Sequence, residues 1–347
     1  MKDVPDSIDE EYADGRPDGV FQEVIKATKS KIYFDSIAGL LKIGSFNSKR
    51  SLLLKIESAL FKSLAYGAAA LTAFALILIL GNITIQALPS LSLEYLLTSE
   101  SDHMELGAGI ANAIVGTFLL AIGSTILATP LGVGAAIYMK RYAKEGRMTR
   151  AFSFFIDVLS GTPSIVLGIF GLFLLVFILR AYTGGFSLIA GVIALAILIL
   201  PVIERATENA IDAVPNELEE ASYSLGATRY HTVRNITIPY ALGGILTGVV
   251  IGVGRAAEES AVVILTAGYS QFMPELRIGA NPQNLGGLKF YPFQDLVGSL
   301  PMCVYRSFEF PSLISPSKGF AAAFVLIVMV MIINATARLI VWKRRIN

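Results

Sequence analysis

The sequence predicts an all-α integral membrane protein with about six transmembrane helices. Three observations predict it. The chain is 54% hydrophobic and only 16% charged over its 347 residues, where soluble domains carry about a quarter charged residues. Six apolar stretches approach or exceed the ~20 residues that cross a bilayer at 1.5 Å rise per residue. Lys and Arg gather in alternate connections between those stretches, as they do on the inner face of a membrane. A chain so poor in charge cannot keep its surface wet, so lipid is its main solvent.

Residues 1–60 stand apart as an N-terminal extension. Asp3, Asp6, Asp9, Glu10, Glu11, Asp14 and Asp18 make its start acidic, and the turn formers among them predict a partly mobile segment. A signal peptide opens on a basic region and a short apolar core, whereas here the first long apolar run begins near Ser63. Residues 31–46 mix Ile32, Phe34, Ile37, Leu40, Leu41 and Ile43 with Lys31 and Lys42. That pattern fits either a helix lying on the inner membrane surface or an ordinary cytoplasmic segment. The transmembrane domain, 61–347, holds spans at about 63–88, 108–139, 152–180, 186–204, 240–267 and 319–342. Pro130 and Pro163 lie inside the second and third, which are long enough to tilt or bend.

The charges orient these spans. Lys49, Arg50, Lys55 and Lys62 precede the first. The loop 89–107 has no Lys or Arg but has Glu94, Glu100, Asp102 and Glu105. Lys140, Arg141, Lys144, Arg147 and Arg150 follow the second span, and Lys343, Arg344 and Arg345 follow the last, beside Trp342. The alternation predicts cytoplasmic N- and C-termini, with 89–107, 181–185 and 268–318 outside. The last of these carries Arg277, Lys289, Arg306 and Lys318, but long loops obey the rule less strictly. It also carries Pro274, Pro282, Pro292, Pro301 and Pro311. No regular fold is expected there, rather a lid or docking surface.

The inner connection 205–239 is polar and helix-prone. Asn216 is placed to cap a helix, with Glu219 three residues on as in a capping box. The helix runs through Glu220, Ala221 and Ser222 and stops near Gly226, which supplies the C-terminal turn. A second short helix ends near Pro239. Two short helices meeting at an angle on the cytoplasmic side form a knob that a partner can grip, and small Ala221 and Ser222 permit close approach.

The spacing Glu220-Ala221-Ser222, three residues, Gly226, nine residues, Ile236-Thr237-Ile238-Pro239 resembles the EAA loop of bacterial ABC importer permeases. Ser222 stands for the motif's second alanine and Ile238 for its leucine. The resemblance implies a type I ABC importer permease fold, with 216–239 forming coupling helices that sit in a cleft of an ATP-hydrolysing subunit. Four further regions, 113–138, 160–171, 200–208 and 254–261, resemble the phosphate-specific branch of that family, within a likeness covering about 105–345. The stretch Thr129–Tyr138 and the run Ala261–Ala267 favour its A-type permease over the C-type. Implied partners are a sister C-type permease, an ATPase subunit dimer that binds ATP and Mg, and an extracytoplasmic phosphate-binding protein. The implied location is a bacterial inner membrane, and the chain itself is expected to carry no cofactor.

Counted from Pro239, Arg255 lies ~24 Å along the fifth span, past mid-bilayer. Glu258 and Glu259, three and four residues on, are spaced to meet it on one helix face. Two readings fit. In one, Arg255 and Arg205, at the inner end of the fourth span, line the route of a phosphate oxyanion, whose oxygens suit guanidinium groups. Glu259 then keeps Arg255 from trapping the anion. In the other, Arg255 is half of a buried ion pair that fixes helix packing. The resemblance favours the first, since the branch's Arg-Ala-x-Gly-Glu-Thr is similar to Arg255-Ala256-Ala257-Glu258-Glu259-Ser260. Glu258 in place of Gly adds a carboxylate that repels an anion unless it is protonated or faces a partner. Pro163, flanked by Gly161, Thr162 and Ser164, either bends the third span beside the path or is a packing kink, which is the commoner case.

The sequence has no Gly-x-x-x-x-Gly-Lys-Ser/Thr phosphate loop, no His-Glu-x-x-His and no recognisable Ser/His nucleophile pair. Cys303 has no intrachain partner, and His103 and His231 lie far apart, so neither a disulfide framework nor a metal site is expected. The net charge of +1 gives no reason to expect nucleic acid. The expected function is a non-catalytic permease subunit that forms half the path of an ATP-driven phosphate importer. A molybdate or sulfate importer is the near alternative. A secondary transporter or channel is the distant one, and leaves the 220–239 loop without a role.

Overall fold

The computed structural model describes residues 48–144, 146–281 and 288–345. The chain divides into two units, Met1–Ile77 and Leu78–Asn347. The described part of the first is helical: α1, Ser48–Ala87, begins there and ends in the second. The surface helix expected at 31–46 lies outside the described residues. Residues 48–60, read as part of the extension, are instead the opening turns of α1. They contain Leu, Lys, Glu and Ala and no Gly or Pro, so nothing stops the helix. Leu64, Leu71, Phe74 and Ile85 are all exposed, as suits a helix solvated by lipid or by a membrane-embedded neighbour.

In the second unit α2 (Leu93–Leu97) and a 3₁₀ turn at Glu100–Asp102 lead into α3, Ala111–Ile137, which runs through Pro130 and widens into a π-helical segment, Tyr138–Tyr142. Next come α4 (Arg147–Gly161) and α5 (Ser164–Gly171, extended by a π segment to Ile178). These two are bent by 103°, so of the tilt or bend expected of the third span it is the bend, at Pro163, that the structure takes. Proline disfavours helical backbone in the residue before it, and Thr162 accordingly takes ψ 131°. A short turn, α6 (Arg180–Thr183), ends on Gly184 at φ +83°. The fourth span, α7, is Leu188–Asp212; it continues past its expected end at 204 because no breaker occurs before Pro215.

Then come α8 (Asn216–Ser224), α9 (Arg229–Thr232), a π segment Val233–Thr237 and α10 (Ile238–Glu258). The second short helix does not end near Pro239 as expected. It flows into the fifth span, because Pro239 falls in the first turn of α10, where its missing N–H costs little. The fifth span breaks instead at Glu259, ψ 126°, before α11 (Ala261–Thr266). The segment 268–318 is more regular than expected. It holds an antiparallel pair, β1 (Arg277–Ala280) and β2 (Leu288–Tyr291), with Arg277 opposite Tyr291, and α12 (Leu300–Glu309). Arg277 lies over the Tyr291 ring at 4.4 Å and Lys289 at 4.7 Å, which steadies the hairpin. The last helix, α13, is Pro316–Arg345. Among the described residues five helices are long and apolar enough to cross a membrane, and six if the bent α4–α5 pair counts as one.

Close contact holds the second unit together. Ile199 and Ile203 of α7 are fully buried in one cluster with Ala121 and Ala128 of α3 and Val253, Ala256 and Ala257 of α10. A Cβ added to Gly132 would lie 3.3 Å from Glu204 N, and on Gly244 or Gly248 it would come within 2.5 or 2.4 Å of the Ala210 or Ala206 Cβ. Lipid tails are as apolar as the helices, so near approach of small residues is what favours association. At the end remote from α8, buried Glu100 accepts from Gly107 N at 2.9 Å, from Arg306 Nη1 at 3.2 Å and from the Tyr269 hydroxyl. This cluster joins the 89–107 connection to the 268–318 segment. Burial above all pushes the Tyr269 phenol well above its usual range, which keeps it a donor.

Candidate functional site

The knob takes its shape from its glycine and its hydroxyls. Gly226 adopts φ +83°, and Ala227 N donates to Ser222 O at 3.2 Å, closing α8 as expected. Ser222 Oγ and Thr232 Oγ1, 2.8 Å apart and buried, hold α8 against α9. A groove of about 720 Å³ lies over this junction, and Leu218, Ala221, Ser222, Gly226, His231 and Ile236 are among its walls. Glu220 and Pro239 are exposed beside it without lining it. Leu225 projects at the rim, 90% exposed. Four of the six expected coupling residues therefore share one concave apolar surface. Gly226→Ala forces a side chain into left-handed backbone, which costs about 1–2 kcal/mol. The expected outcome is a lower melting temperature of the detergent-solubilised chain.

The capping box does not form. Asn216 is the first helical residue, Pro215 occupies the cap position and no side-chain cap bond is made. Glu219 turns inward instead. Its Oε1 accepts from Arg141 Nε at 2.8 Å and from Thr237 Oγ1 at 2.7 Å. Arg141 Nη2 also donates to the Ile211 carbonyl at 3.2 Å. By sequence Glu219 looks like a local cap and Arg141 like one of several loop cations. A contact between residues 78 positions apart leaves no periodic trace in either segment.

Arg205 is not a free anion binder in this arrangement. Its Nη1 meets Glu208 Oε2 at 2.5 Å, its Nη2 meets Asp157 Oδ1 at 2.5 Å and Ser153 Oγ at 3.0 Å, and its Nε lies 3.7 Å from Glu204 Oε2. Asp157 and Ser153 come from α4, so Arg205 pins the bent third span to the fourth. Glu204 is fully buried, and neither of its carboxylate oxygens has a hydrogen-bond partner. Its neighbours along the sequence give no sign of this, because burial depends on how α3 packs over α7.

Arg255 and its expected partner are separated. Glu259 has left the helix, and its Oε1 accepts from Ala261 N at 3.0 Å and Val262 N at 3.3 Å, capping α11. Pairing on one face requires α10 to continue to 259, which the break prevents. Among the described residues Arg255 makes no ion pair with Glu258 or Glu259, and both Arg255 and Glu258 are exposed. Pro163 is exposed at the α4–α5 break, where the first amides of α5 have no acceptor within their own helix. No contact joins Arg205, Arg255 and Pro163 into one cluster among the described residues.

Residues 128–345, more than half of the chain, match the family model described as binding-protein-dependent transport system inner membrane component. The chain belongs to that family. It is therefore a multi-pass ABC transporter permease component, and such components are non-catalytic. Among its relatives are the phosphate transport system permease protein PstA of Pasteurella multocida, 31% identical over 82% of this chain and 94% of that protein, and PstA 1 of Mycobacterium tuberculosis, 35% identical over 68% and 71%. In three dimensions the permease resembles a chain of a bacterial ABC transporter involved in import of the acidic polysaccharide alginate. That match has a TM-score of 0.58 at 16% identity, covering 83% of this chain and 99% of the other. The MetNI methionine transporter, inward facing, matches at TM-score 0.50 and 20% identity over 68% and 94%. Identities this low bear on the fold alone, and the fold they share is that of ABC importer permeases.

Proposed function

We propose that the chain is one of two permease subunits of an ATP-driven importer of inorganic phosphate in a bacterial inner membrane. The observation that carries the coupling half of this reading is the α8–α9 junction, an exposed helix–turn–helix whose apolar groove and projecting Leu225 offer a partner a surface to grip. The phosphate half rests on relatives of which this chain covers 71–94% and which are phosphate transport permeases.

In this reading the α8 end faces the cytoplasm, as the basic Lys140, Arg141, Lys144, Arg147 and Arg150 beside it favour. An ATPase dimer binds ATP and Mg and grips the surface around Glu220, Ala221, Ser222, Gly226, Ile236 and Pro239. Its closure moves α7 and α10 and opens the path toward an external phosphate-binding protein, which docks on the 89–107 and 268–318 surface. A sister permease supplies the other half of the path, which Arg255 faces, and covers Glu258.

Pull-down of the chain from native membranes tests the assembly. An ATPase is expected to co-purify with wild type and to be lost when Leu225→Asp places a charge on the apolar rim. Competition against labelled phosphate uptake tests the cargo. Arsenate is expected to compete, and competition by molybdate or sulfate in its place would assign the importer to another oxyanion.

A further inference from the structure

Neither Arg141 nor Glu219 lines the groove. Four chain segments converge on their contact. Glu219 belongs to the first turns of α8, Arg141 to the π segment that ends α3, Thr237 to the π segment that opens α10, and the Ile211 carbonyl to the last turn of α7. The carboxylate oxygen that receives Arg141 Nε also receives the Thr237 hydroxyl. The side chains of Arg141 and Glu219 are only 15% and 12% exposed, and Thr237 is fully buried.

Both donors to Glu219 sit within π-helical segments. A π turn takes in an extra residue, so it rotates the residues after it relative to an ordinary helix, and such turns recur at functional positions. Here Arg141 and Thr237, one in each segment, both donate to one oxygen. Charge-assisted bonds of this kind are about twice as strong as neutral ones. A guanidinium also offers donors in a rigid fork, which lets Arg141 hold Glu219 and the Ile211 carbonyl together. A lysine ammonium is a point charge without that fork.

We propose that Arg141 and Glu219 are positioning residues that link α8 to the second span, so that displacement of the knob reaches α3 as directly as it reaches α7 and α10. The inference rests on the importer reading and adds a route to it: the second span is driven through Arg141 instead of being carried along passively.

The test uses the intact importer purified through this chain and reconstituted in vesicles. It measures phosphate moved per ATP hydrolysed, per assembled complex, for Arg141→Lys, Glu219→Gln and Thr237→Val. Loss of folding or assembly alone lowers transport and hydrolysis together and leaves this ratio unchanged. The expected result is continued hydrolysis with a ratio reduced at least about 5-fold for Arg141→Lys and Glu219→Gln, the lower bound of typical coupling effects, and a smaller reduction for Thr237→Val. If the two charged-site variants fail to assemble, Thr237→Val, which removes one hydroxyl at constant shape, decides. A wild-type ratio in every variant that assembles overturns the link. That outcome leaves wild-type ATP-driven uptake intact, whereas failure of the importer reading removes it from the wild type itself.

Discussion

Arg255→Gln is expected to lower phosphate uptake by about 10- to 100-fold while the complex still assembles. The size comes from removing one hydrogen-bonded charge contact with the anion, worth roughly 1.5–3 kcal/mol, at tenfold per 1.4 kcal/mol. The reason for expecting it lies in where Arg255 sits. It occupies the last turn of α10, ~24 Å along the helix from Pro239. Glu259 caps α11 instead of pairing with it. An exposed cation at that depth is costly against lipid, so it faces a watery route or a neighbouring subunit. The two carboxylates expected to share its helix face do not hold it, which leaves its donors available to an oxyanion. Radiolabelled uptake in membranes with matched permease content is the check. Full-rate uptake in the variant would assign Arg255 to packing against the sister subunit.

Gly248→Leu is expected to lower accumulation of the chain sharply. A Cβ at this position would already stand 2.4 Å from Ala206 Cβ, and a leucine adds three more carbons to a gap with no room for one. Overpacking typically costs 1–3 kcal/mol and occasionally more. The backbones of α10 and α7 cannot yield here, since Gly244 meets Ala210 and Gly252 meets Ile203 along the same seam. The expected loss is therefore at or above about 3 kcal/mol, a large share of the roughly 5–15 kcal/mol that holds a typical fold. Gly134→Ala, where an added Cβ meets nothing within 4 Å, is the matched control. Membrane immunoblots at equal expression distinguish the two.

Much of this architecture is legible in the sequence because lipid imposes simple rules. Length and hydropathy locate the spans. Gly226 marks the end of α8 because few other residues take positive φ cheaply. The failures share one cause. Pro239 looks like a terminator because its tolerance in a first turn depends on where the helix begins. Glu219 fits a capping box by spacing alone, while the half-buried arginine that claims it lies at the end of another span. Arg205 looks like an open anion site because Asp157, which comes from a helix bent across it, is distant in sequence. In each case a local rule is overruled by a partner that only the packing supplies.

ATP-driven import through this permease is tested most directly by phosphate accumulation in vesicles holding the purified complex. ATP is supplied on the side of the α8–α9 knob and the phosphate-binding protein on the other. The expected result is uptake that requires ATP and is abolished by Leu225→Asp. Uptake by the chain alone, driven by an ion gradient and indifferent to ATP, would contradict it.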